Sequence, residues 1–100
     1  MAPGVADPQA VTVDVSETIG DQETRRALFD RVRTLVTSGS RDILLNVGAL
    51  TAPNTEQLGS IIQAYITVTK NGGTLKLLNA GQRLRRLMTI TKVNTIIQTV

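Results

Sequence analysis

The sequence predicts a single α/β domain, with helices packed against a mostly parallel or mixed sheet of about four strands. Three observations predict it. Apolar periodicity switches back and forth between two and about 3.6 residues, in the order strand, helix, strand, helix, strand, helix, strand. The 100-residue length suits one domain with a modest core. An apolar content of 41%, with only Phe29 and Tyr65 aromatic, makes that core aliphatic. Right-handed crossovers between successive strands would then give a mainly parallel sheet.

Each element has its own signal. AVTVDV (10–15) alternates, with Val11, Val13 and Val15 on one face and Thr12 and Asp14 on the other. SETIGD turns the chain. From Asp21 to Ser38, Leu28, Val32, Leu35 and Val36 follow helical spacing with Phe29 beside them, and Gly39 supplies a left-handed stop. ILLNV (43–47) is a continuous apolar run, which suits a central strand covered on both faces. Leu58, Ile61, Ile62, Tyr65 and Val68 mark a second helix facing the sheet, closed by NGG at 71–73. TLKLLN (74–79) is the third strand, and Leu84, Leu87 and Met88 give a short third helix. TIIQTV (95–100) is a final strand or terminal extension.

Composition excludes several kinds of chemistry. The chain has no cysteine and no histidine, so disulfides, thiolate or imidazole metal sites and histidine-dependent triads are out. Two aromatics are too few for a base-stacking platform. No apolar run approaches membrane-spanning length, and MAPGVADPQA has neither the basic nor the hydrophobic part of a signal peptide. A soluble cytoplasmic protein is expected. Charge is uneven: residues 1–56 carry five basic and eight acidic residues, residues 57–100 six basic and none acidic. Such asymmetry marks either a solvated helix face or a surface for nucleic acid or an acidic partner.

The segment TAPNTEQ (51–57) joins the second strand to the second helix. Ligand and partner surfaces of parallel α/β folds lie beyond the carboxyl ends of the strands, where this turn falls. Asn54 or Thr55 can N-cap the helix; with Asn54 as cap, Gln57 stands at N3 and completes a capping box. A catalytic elbow would need flanking glycines and a histidine, and Glu56 beside Thr55 is no acid–base pair. GTLKLLNAGQR lacks the spacing of a phosphate-binding loop. No catalytic residue, metal ligand or cofactor is implied. Modification remains open, since a hydroxyl at a helix N-terminus is well placed to carry a phosphate.

The order of elements, this turn and NGGTLKLLNAGQRLRRLMTITKVNTIIQTV together resemble the STAS domain family. Within it the likeness is to the anti-sigma factor antagonists of bacterial partner-switching systems. NGGTLKLLN matches the family's G-G-x-L-x-L-x-N, and RLRRLMTITKV its arginine- and leucine-rich helix with a threonine–lysine exit. The resemblance spans residues 10–100. Counting back from Leu58 and Gly59, the family's D-S-S-G falls on Asn54, Thr55, Glu56 and Gln57. It therefore implies Thr55 as the phosphorylation candidate. Glu56 puts a fixed negative charge where the second serine stands, and Gln57 a bulky side chain where a partner would approach closely.

The resemblance also implies a function. A non-enzymatic regulatory module of the bacterial cytoplasm, acting in transcription control, would dock an anti-sigma factor of the serine kinase type or another STAS protein. Thr51, Asn54, Thr55, Glu56, Gln57 and Ser60 would form its partner-binding surface. The family's first strand should precede AVTVDV, but APGVADP offers no alternation. A disordered leader over residues 1–9, a STAS-like domain over 10–100 and an uncovered edge strand open to homo-oligomers are expected. The other reading is a degenerate, unswitched STAS scaffold that assembles with itself or with other STAS proteins. A nucleic-acid surface of Lys70, Lys76, Arg83, Arg85, Arg86 and Lys92 ranks last, because these positions do not share one face. No membrane partner is expected.

Overall fold

A computed structural model of the chain describes residues 10–100. Four parallel strands form one sheet in the order β1 (Ala10–Asp14), β2 (Asp42–Asn46), β3 (Thr74–Leu78) and β4 (Gln98–Thr99). Three helices connect them: α1 (Gln22–Thr37), α2 (Thr55–Lys70) and α3 (Gln82–Ile90), the last followed by a 3-10 turn at Val93–Thr95. This is the expected α/β domain. The leader over residues 1–9, and any strand preceding β1, lie outside the described residues.

The register builds the core in rows. Val11 stands beside Ile43 and Ile43 beside Leu75; one step on, Val13, Leu45 and Leu77 are neighbours. Onto these rows pack Leu28, Val32 and Val36 of α1, Leu58, Ile61, Ala64 and Val68 of α2, and Leu84 and Met88 of α3, all buried.

The expectation that β2 is covered on both faces is not met. Ile43, Leu45 and Val47 are buried, whereas Leu44 and Asn46 between them are only half-buried. Strand order supplies the reason. When every right-handed crossover steps to the next strand in the same direction, all the helices fall on one side. Thr12, Asp14, Lys76 and Leu78 share the other face with Leu44 and Asn46, and none of these is buried.

The phase of α2 also differs slightly from its apolar stripe. Ile61, Ala64 and Val68 are fully buried, and Ile62 and Tyr65 flank the core half-buried. The alanine matters here because a small residue lets the helix lie close to the sheet.

Both long helices end in the same hydrogen-bonded motif. After α1, Gly39 adopts φ +106° while its N–H and that of Ser40 donate to Val36 and Leu35. After α2, Gly72 takes φ +79° and the N–H groups of Gly72 and Gly73 donate to Thr69 and Val68. Gly73 is required for space: a Cβ there would lie 2.6 Å from the Arg41 carbonyl oxygen. That carbonyl accepts from Thr74 N–H at 2.7 Å, so the stop of α2 is welded to the start of β2.

Candidate functional site

The 51–57 turn lies at the carboxyl end of β2, between the loops that leave β1 and β3. Its root is apolar. Val47 is buried and donates its N–H to the Leu78 carbonyl, and Leu50 tucks back beneath the loop onto the Val47 carbonyl. Thr51 and Ala52 are exposed and Pro53 half-buried.

Asn54, in extended backbone, caps α2. Its side-chain oxygen accepts from Gln57 N–H at 2.8 Å, and Gln57 Oε1 accepts the Asn54 N–H at 3.3 Å. The capping box expected from the spacing is present, with Asn54 rather than Thr55 as the cap. Thr55 thus occupies the first helical position and Glu56 the second, both exposed.

Gln57 and Ser60 point the other way. Gln57 is 7% exposed and Ser60 1%. The Gln57 amide donates to the Glu17 carbonyl at 2.6 Å, and the Ser60 hydroxyl to the Ile19 carbonyl at 2.7 Å. The bulk of Gln57 is therefore not on the surface where a partner would approach, but folded under the turn. Of the six residues expected at the surface, the structure brings Thr51, Asn54, Thr55 and Glu56 together outside and turns Gln57 and Ser60 inward.

What receives them is the loop after β1, which residue-by-residue reading of the turn missed. Ile19 is a buried anchor in an otherwise exposed segment, and Gly20 sits so close that a Cβ there would lie 3.3 Å from Glu56 Cβ. The one signal for this contact was a lone isoleucine inside SETIGD.

A second polar group extends along the carboxyl edge. Asn46 donates to Asp14 at 3.0 Å and accepts from Asn79 Nδ2 at 3.0 Å and Gly48 N–H at 3.2 Å. It ties the three loops at this edge to one another. It fixes the site's frame and contains no nucleophile–base pair. Among the described residues, no group of three or more acidic, histidine or cysteine side chains is placed to hold a metal ion.

The basic residues of the second half are dispersed. Lys70 stands in the last turn of α2 and Lys76 on the open sheet face. Arg85 borders a groove with Met88 and Gln98, while Arg83 and Arg86 border a different one with Ala52 and Pro53. That dispersal does not make a track for a nucleic-acid backbone. Among the described residues, no helix is long and apolar enough to cross a membrane.

The site is thus one edge of a parallel α/β sheet carrying a capped helix, with Thr55 and Glu56 exposed at its start. The family model for the STAS domain matches residues 6–100, and the chain belongs to that family. It is similar in fold to the crystal structure of a candidate anti-sigma factor antagonist, TM1081, from Thermotoga maritima. The TM-score is 0.73 at 15% identity, over 93% of this chain and 80% of that one. The NMR structure of the protein TM1081 gives a TM-score of 0.74, also at 15% identity, over 95% of this chain and 76% of that one. No curated protein matches the chain. STAS domains are generally non-enzymatic binding modules.

Proposed function

We propose that this STAS domain is a non-enzymatic antagonist in a partner-switching system. It docks an anti-sigma factor of the serine kinase type, or another STAS protein, through the 51–57 turn and the start of α2, and phosphorylation of Thr55 weakens that docking. The observation that carries the proposal is the exposed Thr55 hydroxyl at the first position of a helix whose third N–H is already capped. A phosphate there would meet the remaining first-turn N–H groups and the positive end of the helix dipole. Glu56 beside it adds one negative charge against a modification of nearly two. The setting is the bacterial cytoplasm, with no cofactor and no membrane partner.

The alternative is an unswitched STAS scaffold. Two observations favour it: Glu56 stands beside the acceptor hydroxyl, and β1 pairs with β2 on one side only among the described strands. Its outer edge would then join copies of the chain. Incubation with an anti-sigma-type serine kinase from the native host, followed by mass spectrometry, separates the readings. The switch predicts phosphate on Thr55; a protein left unmodified and self-associating in sedimentation favours the scaffold.

A further inference from the structure

The segment around Pro53 and the outer face of α3 flank a shallow, open cleft of about 320 Å³, lined by Ala52, Pro53, Arg83, Arg86, Leu87 and Ile90. The four α3 residues recur at i, i+3, i+4 and i+7, while Leu84 and Met88 turn into the core. Ile90 is 70% exposed, the largest value among the exposed large hydrophobics of the described residues. No acidic residue lines the cleft, and none follows Glu56 in the sequence.

Neither feature helps the isolated domain. Like charges three residues apart on a helix repel. An isoleucine left in water gains nothing from burial. Together they form an apolar floor between two guanidinium groups, immediately beside the 51–57 turn.

We propose that this cleft docks an acidic amphipathic segment of a partner protein. Its carboxylates would pair with Arg83 and Arg86, and an apolar side chain would rest on Pro53, Leu87 and Ile90. This rests on the reading of the adjoining turn as a docking surface, and names the chemistry of the partner. Arginine forks bind carboxylates in two-point fashion, and desolvated arginines beside apolar contacts are typical of residues that dominate interfaces. A lipid surface fits less well. The helix α3 is nine residues long and holds Leu84 and Met88 in the core, which leaves only Leu87 and Ile90 as apolar side chains to enter a bilayer.

The test uses the full chain and a fluorescent synthetic peptide of Glu-Glu-Leu-Leu repeats, followed by anisotropy, with a Gln-Gln-Leu-Leu peptide as control. The acidic peptide should bind about tenfold or more tightly than the control. Arg83→Gln with Arg86→Gln should weaken it by about tenfold, and Ile90→Ser by about threefold, whereas Arg26→Gln on α1, an equal loss of charge per site, should change nothing. All the altered side chains are exposed, and unchanged circular dichroism checks the fold. Absence of peptide binding, equal affinity in all variants, or binding only to phosphatidylglycerol vesicles would overturn the proposal. The peptide assay uses unphosphorylated protein and does not depend on Thr55 being modified. A failed Thr55 switch thus leaves the cleft standing, and a failed cleft leaves the switch to its own test.

Discussion

Gln57 of α2 holds the Glu17 carbonyl at 2.6 Å, joining the loop after β1 to the turn after β2 across forty positions of sequence. The same amide closes the capping box on Asn54. One side chain therefore fixes both the start of α2 and the neighbouring loop, so the exposed Thr55 and Glu56 stand on a rigid base. Gln57→Ala is expected to destabilise the domain by about 1–3 kcal/mol, because it strips partners from part-buried backbone groups. Gln57→Glu keeps the acceptor but opposes a carboxylate to the Glu17 carbonyl, and should be at least as costly. Urea melts check both, and a loss under about half a kcal/mol for the alanine variant would mean that water replaces the amide without penalty.

The helix phase predicts a contrast between neighbours. Ile61 is fully buried against the sheet, while Ile62 is half-buried at its margin. Ile61→Ala should lose about 2–5 kcal/mol and Ile62→Ala distinctly less. Equal losses in the same melts would contradict the observed phase.

Two glycines should respond to alanine with opposite sign. At Gly73 a Cβ would meet the Arg41 carbonyl oxygen at 2.6 Å and Val68 Cγ1 at 2.9 Å, both held in place by packing. Gly73→Ala should cost about 1–3 kcal/mol, the range of an overpacked site. Gly59 lies inside α2 with nothing within 4 Å of a built Cβ. Gly59→Ala should stabilise by about 0.5–1 kcal/mol through the chain entropy of the unfolded state. Thermal or urea unfolding of the pair reads the signs directly.

These contrasts show what the sequence could disclose. Period switches and the glycine stops at Gly39 and Gly72 are local signals, and they located α1, α2 and the strands between them. The Asn54–Gln57 box was legible for the same reason: its partners are three residues apart. Which face of β2 is covered was not legible, because Ile43, Leu44 and Leu45 are equally apolar and only strand order decides. Ala64 was passed over because alanine carries little periodic signal, yet it sits at the centre of the α2 contact. The inward turn of Gln57 and Ser60 depends on carbonyls of Glu17 and Ile19, about which their own neighbours say nothing.

The proposed switch makes a prediction at Thr55. That residue is exposed at the start of α2, so a partner docked on the turn would cover a neutral group there. Added negative charge must then be desolvated on docking and repels any acidic group opposite. In titrations against an anti-sigma-type kinase from the native host, Thr55→Asp should weaken binding by at least about tenfold, or 1.4 kcal/mol. Thr55→Ala should bind close to the parent while losing the site of modification. Glu56→Ser removes the charge that already stands beside the acceptor and should strengthen binding. Because Asn54 and Gln57 make the cap, none of these changes removes it, and loss of fold cannot imitate loss of binding. Should all three variants bind like the parent, the turn is a helix cap alone, and the unswitched scaffold is the better account of the protein.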